Sequence, residues 1–237
     1  MRLAINIDHV ATLRNARGDA QPDPVEAALA CERAGAKGIV CHLREDRRHI
    51  RDEDVRRLRK TVKTKLDLEM AATEEIIRIA IATKPDLVTL VPEKRQELTT
   101  EGGLDVVGQR TYLDGVIKEF HRHEILVSLF IDPVAAQIQT SKQIDSDMIE
   151  LHTGAYAEAK TAAERKTDLR QLADAAKLGR ALGLTVNAGH GLDYDNVSAV
   201  ARIKEIEEVS IGYAIIVRAL EVGIEKAVRE MKKLVAH

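Results

Sequence analysis

Acid–base side chains in this sequence follow apolar, β-branched stretches at the points where those stretches end. His42 comes near the end of "GIVCHL", Glu69 near the end of "LDLEM", and His190 just after "LTVNA". Imidazole and carboxylate groups together donate and accept protons near neutral pH. If these stretches are strands ending at one face of the molecule, the three groups meet there and can carry out repeated proton transfers. Taken singly, each has an ordinary explanation, such as a helix cap or a salt-bridge partner for Glu69.

The segment "HLREDRRHI", residues 42–50, concentrates charge in one loop. A guanidinium binds phosphate oxygens through two parallel hydrogen bonds, so Arg44 and His49, which flank the turn, predict an anion site. A charge run is also typical of a solvated loop. We interpret the four intervening residues as a mutually paired turn that faces solvent, namely Glu45, Asp46, Arg47 and Arg48.

Glycines after the last two apolar stretches predict another anion site. They lie in "NAGHG" (187–191) and "SIGYA" (210–214). Glycine lets backbone N–H groups approach a ligand closely, and parallel barrels commonly bind phosphate at these positions. The alternative is that both segments are tight strand-to-helix turns. Two anion sites would indicate two phosphorylated reactants or one bisphosphate.

Other polar residues in comparable positions are interpreted as structural. Asp132 and His152 follow the fifth and sixth apolar stretches but carry no further signal. His121 and His123 lie near the end of a helical segment, where the helix dipole favours a positive imidazolium. We therefore expect these four residues to stabilise the fold and to take no part in chemistry.

The elements that would position these groups are predicted by alternating hydrophobic periods. About eight short apolar stretches, from "LAINI" to "EVSIG", alternate with segments of helical spacing such as "DPVEAALACERAG" and "TDLRQLADAAKLGRALG". Strict alternation favours a parallel sheet with helical crossovers, and about eight repeats in 237 residues favour a (β/α)8 TIM barrel. A doubly wound open sheet is the main alternative, but "INIDHVATLRNARG" stands where its G-x-G-x-x-G turn is expected.

A single domain covering residues 1–237 is predicted, because no Ser/Gly-rich or Pro-rich linker interrupts the pattern. Pro22 and Pro24 are expected to introduce the first helix. The longest irregular segment is "VPEKRQELTTEGGLD", residues 91–105. A loop of this length in a compact domain is usually functional, so we expect residues 92–104 to form a lid hinged at Gly102 and Gly103.

Composition argues against several classes of protein. The chain has 36 Lys and Arg against 38 Asp and Glu, so it has no basic field that would attract nucleic acid or anionic lipid. Apolar runs stay well below the roughly 18 residues of a membrane span, and the start "MRLAINIDH" does not resemble a signal peptide. Cys31 and Cys41 form no disulfide framework. We expect a cytoplasmic protein with two reduced, buried thiols and with neither nucleic-acid nor membrane partners.

Several motifs together resemble the pyridoxine 5'-phosphate synthase family. In order along essentially the whole chain, they are "NIDHVATLRNARG", "HLREDRRHI", "LEMA", "VPEKRQELTTEGGLDV", "IELHTGAYA" and "VNAGHGL". The resemblance implies a (β/α)8 barrel with extra helices, assembled as a homo-octamer. It also implies condensation of 1-deoxy-D-xylulose 5-phosphate with 3-amino-2-oxopropyl phosphate to give pyridoxine 5'-phosphate, phosphate and water, with no metal or organic cofactor.

The resemblance implies a role for each matching residue. His42 and Glu69 would be proton acceptors, and His190 would be a proton donor. Glu150 would stabilise charge in the transition state. The amino-ketone phosphate would be bound by Asn6, Arg17, Gly191, Gly212 and Tyr213. The deoxyxylulose phosphate would be bound by Asp8, His9, Arg44, His49 and Thr99.

Two positions depart from the family's pattern. Tyr213 stands where a histidine is common, and Val217 stands where a glycine is common. If backbone N–H groups hold the phosphate, both changes are harmless. If that histidine contributes its own donor in the family, phosphate affinity in this chain is reduced, although the Tyr213 hydroxyl still offers a donor.

Two other functions fit part of the pattern. A metal-dependent barrel lyase or hydrolase would use five ligands, namely Asp8, His9, His42, Glu69 and His190. Against it, Arg17 and Arg44 would crowd such a site with positive charge. A non-enzymatic barrel that binds a phosphometabolite would use the glycines and arginines but would leave the proton-transfer groups without a role.

Overall fold

Eight parallel strands close into a barrel in the computed structural model, which describes residues 1–93 and 102–236. Each strand pairs with the next in chain order and the last pairs with the first, so the TIM barrel is confirmed and the doubly wound alternative is wrong. The strands are β1 (Arg2–Asn6), β2 (Gly38–His42), β3 (Lys65–Met70), β4 (Leu87–Leu90), β5 (Leu126–Ile131), β6 (Met148–His152), β7 (Thr185–Gly189) and β8 (Glu208–Ile211).

Eleven helices surround the strands in the described part of the chain, more than one for each strand. They are α1 (Asp8–Arg17), α2 (Pro24–Ala34), α3 (Asp52–Thr61), α4 (Glu74–Thr83), α5 (Arg110–Arg122), α6 (Ala135–Gln143), α7 (Gly154–Glu158), α8 (Ala162–Ala181), α9 (Val197–Ala201), α10 (Tyr213–Val222) and α11 (Ile224–Val235). Pairs of helices follow β1, β6 and β8, which accounts for the extra helices implied by the family resemblance.

The helix that begins at Pro24 is the second in the chain, so the expectation that the prolines introduce the first helix is wrong. That helix does start as its residues dictate, since the Asp23 carboxylate accepts the Val25 N–H at 2.9 Å. It ends at Gly35, whose φ of 101° suits glycine. The unpredicted α1 has few apolar residues, and two of its four buried positions are the polar Asp8 and Arg14.

A buried ion pair replaces apolar packing on α1. Arg14 donates from both terminal nitrogens to the Asp54 carboxylate, at 2.7 and 2.8 Å, and both side chains are about 5% exposed. The same guanidinium donates to the backbone oxygen of His49 at 3.1 Å. Two parallel bonds from a buried arginine are a strong, geometrically specific contact. Arg14 therefore fixes α1 against α3 and also fixes the loop that follows β2.

The two faces of the barrel wall differ in chemistry. Side chains that point outward are apolar and pack against the helices, such as Ile5, Leu68 and Leu129. Because side chains alternate along a strand, the residues between these point into the barrel. The buried polar residues of this inner face include Asp67, Thr89, Ser128, Glu150, Asn187 and Glu208. The apolar core is thus a shell outside the sheet, and the interior is polar.

Lys65 supplies positive charge to this polar interior. Its ammonium donates to Glu208, across the barrel from β3 to β8. Burial opposes the charged form, but Asp67, Glu208 and Glu150 together raise the pKa of Lys65. Burial also raises the pKa of Asp67 to about 6, although Lys65 and a 2.9 Å hydrogen bond from Thr89 oppose that rise. The ammonium therefore compensates carboxylates that water cannot reach.

Two expectations from composition can be compared with the described residues. Cys31 and Cys41 are both free and buried, as predicted. None of the helices in residues 1–93 and 102–236 combines the length and the apolar character that a membrane crossing requires.

We expect Lys65→Met to lower the free energy of unfolding by about 3 kcal/mol, because it removes the buried ammonium and leaves the buried Glu208 only its longer contact, at 3.6 Å, with the exposed Arg2. Urea denaturation followed by circular dichroism measures the change. Lys118→Met is the matched control, since Lys118 pairs with Asp114 at 2.7 Å with 58% of its side chain exposed. The control should change stability by no more than about 0.5 kcal/mol, and an equal loss in both variants would contradict the buried-pair interpretation.

Candidate active site

The ends of β1, β2 and β3 bring four of the predicted residues into one cluster. The carboxamide of Asn6 donates to Asp8 Oδ2 at 2.9 Å and to Glu69 Oε2 at 3.3 Å. The backbone N–H of His42 donates to Asp8 Oδ1 at 2.8 Å. In the β2–β3 register His42 lies directly beside Glu69, and its Nδ1 is 4.0 Å from Glu69 Oε2. Adjacent strands thus join an imidazole and a carboxyl group at the barrel mouth.

Glu93, to which the sequence analysis gave no role, holds the ring of His42. Its Oε1 is 2.8 Å from His42 Nε2, and its Oε2 accepts the Glu45 N–H at 3.1 Å. Burial would raise the pKa of Glu93, but the hydrogen bond and charge of His42 lower it below its ordinary value. An ionised carboxylate only accepts, so it favours the proton on Nε2. Nδ1 is then left facing Glu69.

The carboxyl groups of Glu69, which is partly buried, and Glu150, which is buried, interact electrostatically in the barrel. Burial, followed by the negative charge of Glu150, raises the pKa of Glu69 well above its usual range. Burial, followed by the charge of Asp67, raises the pKa of Glu150 to about 8. Gly189 makes room for Glu150, since a Cβ on that glycine would lie 2.1 Å from Glu150 Oε1. Carboxyl groups with raised pKa values exchange protons effectively near neutral pH.

In the outer part of the charged loop after β2, the predicted mutual pairing of side chains is found for Asp46 and Arg48, whereas the Arg47 side chain pairs outside that set, with Asp52 and Glu75. Arg48 donates to Asp46 at 2.6 Å, and Arg47 donates to Asp52 at 2.8 Å. Asp46 has a pKa lowered to about 2, because the hydrogen bonds and charges of Arg48 and Arg44 outweigh its partial burial. Glu45 also bonds outside the four predicted residues, since its backbone N–H donates to the Glu93 carboxylate.

The inner part of that loop, Arg44 and His49, is buried beside the acid–base cluster. Arg44 is 4% exposed, with its Nε 3.5 Å from Asp46 Oδ1. The His49 ring centre is 5.9 Å from that of His42, and its Nδ1 is 4.0 Å from Asp8 Oδ1. Burial lowers the pKa of His49, although Asp8 opposes this. Arg44 and His49 therefore lie on the inner side of the loop, next to the cluster that contains His42 and Asp8.

His190 lies across the mouth in a strained backbone conformation. Its φ of 79° is unusual for a residue with a side chain. Thr153 fixes this turn, because its hydroxyl donates to the Gly189 oxygen at 2.7 Å and also to the His190 oxygen. Burial, followed by the nearby His152, lowers the pKa of His190 to about 4. Sequence reasoning missed Thr153, whose hydroxyl acts on residues 36 and 37 positions further along the chain.

The predicted glycines are sites of close approach. A Cβ on Gly212 would lie 3.0 Å from the Asn6 Cβ, and one on Gly191, where φ is 74°, would lie 2.7 Å from the Ala157 Cβ. Gly212 immediately precedes α10, whose first N–H groups and positive dipole end favour an anion. These positions bring backbone donors to the mouth beside Asn6.

Tyr213 and Val217 are both exposed on α10, by 68% and 43%. The Tyr213 ring lies edge-on to that of His9, with ring centres 5.2 Å apart. His9 thus lies at the same side of the mouth as Gly212. Among the described residues, none forms a hydrogen bond with the Tyr213 hydroxyl, and the side chain is exposed to solvent.

One predicted residue, Arg17, lies away from this cluster, and another, Thr99, falls outside the described residues. Arg17 is exposed in the last turn of α1, nine residues from Asp8, which corresponds to about 13 Å along a helix. Thr99 and most of the predicted lid, residues 92–104, fall outside the described residues. The two ends of that lid segment are described: Glu93 binds His42, and the Gly103 N–H donates to Asp132 Oδ1 at 3.0 Å.

The ligand set of the metal-dependent alternative does not converge as a whole. Among the described residues, the one group whose ligand atoms lie within 4.8 Å of each other is Asp8, His42 and His49. It contains only two of the five proposed ligands. The Asp8 carboxylate of that group already accepts the backbone N–H of His42, and the buried Arg44 lies on the loop between His42 and His49.

The sequence matches the family model described as pyridoxal phosphate biosynthesis protein PdxJ over residues 3–237. The chain is 58% identical to pyridoxine 5'-phosphate synthase of Chloroherpeton thalassium over 234 residues, covering 99% of each chain. It is 57% identical to the enzyme of that name from Synechococcus sp., covering 98% of each chain.

Solved structures with low sequence identity share the fold. 3-Hexulose-6-phosphate synthase is similar with a TM-score of 0.65 at 17% identity, covering all of both chains. Phosphoribosyl anthranilate isomerase from Thermus thermophilus is similar with a TM-score of 0.62 at 15% identity, covering 99% of this chain and 98% of that one. At such identities the likeness concerns the barrel fold alone.

The strain at His190 predicts an unusual order of stabilities. Because a positive φ penalises any Cβ, His190→Gly should be about 1 kcal/mol more stable than His190→Ala. Its melting temperature should then be about 2–4 °C higher, as measured by differential scanning calorimetry. His123, with a φ of −99°, provides the control. There the alanine variant should be the more stable, and the same order at both positions would contradict strain at His190.

Proposed function

The chain belongs to the PdxJ family of pyridoxal phosphate biosynthesis proteins, and on that premise we propose that it is a pyridoxine 5'-phosphate synthase. Its substrates in this proposal are 1-deoxy-D-xylulose 5-phosphate and 3-amino-2-oxopropyl phosphate. They condense to pyridoxine 5'-phosphate, phosphate and water by cofactor-independent ring closure. The observation that carries the proposal is the full-length match to named relatives, combined with an acid–base cluster at the mouth of a phosphate-binding type of barrel.

The proposed reaction demands several proton transfers in one pocket. An amine and a carbonyl form an imine with loss of one water, the phosphate group of the deoxyxylulose unit leaves as inorganic phosphate, and the ring closes with loss of a second water. Each step moves a proton on or off carbon, nitrogen or oxygen. His42 and Glu69 are the proposed acceptors, and their contact across β2 and β3 supports a shared role. Glu150, with a pKa raised to about 8, is the proposed stabiliser of transition-state charge.

His190 is the proposed proton donor. With a pKa lowered to about 4, chiefly by burial, its neutral imidazole predominates at pH 7. Any proton that it takes up during the reaction is therefore released readily to a substrate oxygen or nitrogen. Its position across the mouth from His42 would let acid and base act on opposite ends of one intermediate.

The two phosphates are proposed to occupy the two sides of the mouth. The amino-ketone phosphate would lie at Asn6, Gly191, Gly212 and the Tyr213 backbone, with Arg17 as a further contact. The positive end of α10 and the lack of room for a Cβ at Gly212 support this. The side-chain changes at Tyr213 and Val217 are harmless in this arrangement, since backbone N–H groups bind the anion.

The deoxyxylulose phosphate would lie on the other side, bound by a set that comprises Asp8, His9, Arg44, His49 and Thr99. The burial of Arg44 and the partial burial of His49 support this, because a guanidinium and an imidazole on the inner side of the loop can both donate hydrogen bonds to a dianion. A bound phosphate would also favour the charged form of His49. The same pair would stabilise the charge that develops as that phosphate leaves.

The proposed assembly is a homo-octamer of single-domain chains, residues 1–237, in the cytoplasm. Tyr213, Val217 and Leu220 recur at helical spacing on α10 and are 68, 43 and 72% exposed. An exposed apolar stripe of this kind is typical of an interaction surface. It supports self-association, and light scattering of the purified protein measures its order. Two free cysteines support a reducing compartment.

Purified protein supplied with both substrates should release phosphate and form the pyridoxine phosphate chromophore. We expect Glu69→Gln and His190→Ala each to abolish turnover while the protein stays folded, because each removes a proton-transfer group. His123→Ala, remote from the mouth, is the control and should retain full activity. Near wild-type turnover in both site variants would contradict the assigned roles, and no turnover by wild-type protein would contradict the proposed function.

Glu93 should affect turnover through His42. Glu93→Gln keeps the shape but loses the charge that orients the imidazole, so kcat should fall about 10-fold, and Glu93→Ala should lower it about 100-fold. Steady-state kinetics with both substrates measure this. Glu119→Gln is the matched control, because Glu119 pairs with His123 at 3.3 Å on the surface. Equal kcat values in the Glu93 and Glu119 variants would show that the carboxylate has no influence on His42.

A further inference from the structure

We propose that Asp132 and His152 form a positioning pair that fixes the orientation and the charge of His190. The sequence alone favoured a purely structural interpretation of both residues. The inference rests on the proposed acid–base role of His190 and deepens it, because it identifies groups that act on that imidazole without touching substrate.

The contact between the two residues is direct. Asp132 Oδ1 lies 3.0 Å from His152 Nδ1. The His152 side chain is 10% exposed, whereas that of Asp132 is 48% exposed. A solvated carboxylate remains ionised at low cost, and as an acceptor it favours the proton on Nδ1 of its partner. The Asp132 carboxylate therefore holds a largely buried imidazole in one orientation.

The other nitrogen of this ring is the unusual feature. His152 Nε2 is buried and has no hydrogen-bond partner within residues 1–93 and 102–236. A buried polar atom without a partner is costly and therefore rare in a stable fold. Gly154 accommodates it, since a Cβ there would lie 2.5 Å from Nε2. The space beside this nitrogen is thus created by a glycine.

His152 and His190 are neighbours that share one aromatic support. Their ring centres are 5.0 Å apart at an interplanar angle of 62°. Both rings also pack on Phe130, at 5.1 Å for His152 and 6.4 Å for His190. This edge-to-face arrangement restricts rotation of both imidazoles. The orientation of His190 therefore depends on a ring that Asp132 holds in place.

The pair also reaches the end of the loop that follows β4. Asp132 Oδ1 accepts the Gly103 N–H at 3.0 Å in addition to its contact with His152. Gly103 lies so close to the end of β5 that a Cβ would be 2.1 Å from the Asp132 nitrogen. The carboxylate that orients His152 is thus itself fixed by backbone on one side.

The charge of His152 acts on His190 through space. The titratable groups that face His190 in the described structure are His152 on β6, with Asp132 behind it, and Glu158 on α7. Burial makes the largest contribution in lowering the pKa of His190, the positive form of His152 lowers it further, and Glu158 opposes both. Removing the His152 imidazole should therefore raise the pKa of His190.

The first test uses the free protein and needs no substrate. His152→Asn keeps an amide donor for Asp132 but removes the ring and its charge. In an NMR titration of the histidine ring protons, the His190 midpoint should move upward from its wild-type value in this variant. His121→Gln is the matched control, since His121 Nε2 lies 2.8 Å from Asp147 Oδ2 in a similar pair, 34% exposed, remote from the mouth. It should leave the His190 midpoint unchanged.

The second test uses turnover with both substrates. His152→Asn and Asp132→Asn should each lower kcat about 10- to 100-fold with KM within about twofold, as expected for loss of an orienting partner. The acid limb of the kcat profile should move to higher pH in His152→Asn, because the neutral form of His190 is then reached only at a higher pH. His121→Gln should match wild type in kcat and in pH profile.

The outcomes separate this inference from the proposed function. Unchanged His190 titration and unchanged kcat in His152→Asn would overturn the positioning role. If His152→Asn does not fold, Asp132→Asn decides, because its half-exposed site tolerates the amide, and a wild-type kcat there would equally overturn the inference. If wild-type protein lacks turnover, the proposed function fails, and the His190 titration alone decides whether the pair controls that imidazole.

Discussion

The buried charge balance around Lys65 is the constraint on which the rest of the structure depends. The barrel interior holds Asp67, Glu150 and Glu208, which cost much free energy when they are ionised away from water. Lys65 offsets part of this cost by its contact with Glu208 and its proximity to the other two. Burial, followed by the neighbouring negative charges, raises the pKa of Glu69 and Glu150 in the same interior. The raised pKa values of these two carboxyl groups thus originate in the packing of the barrel interior.

Each side of the mouth combines an imidazole with a carboxylate, and one loop connects the two sides. On the β2 side, Glu93 binds His42, whereas on the β6 side Asp132 binds His152. Glu93 begins the segment after β4, and Gly103, near its end, donates to Asp132. One end of this loop therefore contacts the His42 ring, and its other end contacts the carboxylate that binds His152.

The sequence was sufficient to predict the barrel, because period-two and period-3.6 patterns alternate along the whole chain. It also predicted that His42, Glu69 and His190 lie at one mouth, because parallel strands end at the same face. It could not reveal α1, whose buried side includes Asp8 and the ion-paired Arg14. The partner of His42 was equally hidden, since Glu93 is 51 residues away and a contact at that separation depends on the closed barrel. His152 was set aside because a lone histidine shows its neighbours only in three dimensions.

The contact between Lys65 and Glu208 also has a kinetic consequence. The two residues are 143 positions apart, on β3 and β8, and meet across the barrel interior. Contacts so distant in sequence carry a large loop-closure entropy and tend to form late on a folding pathway. Interactions absent from the transition state govern the unfolding rate much more than the folding rate. We therefore expect this ion pair chiefly to slow the unfolding of the barrel. The apolar shell outside the sheet is expected to direct its folding.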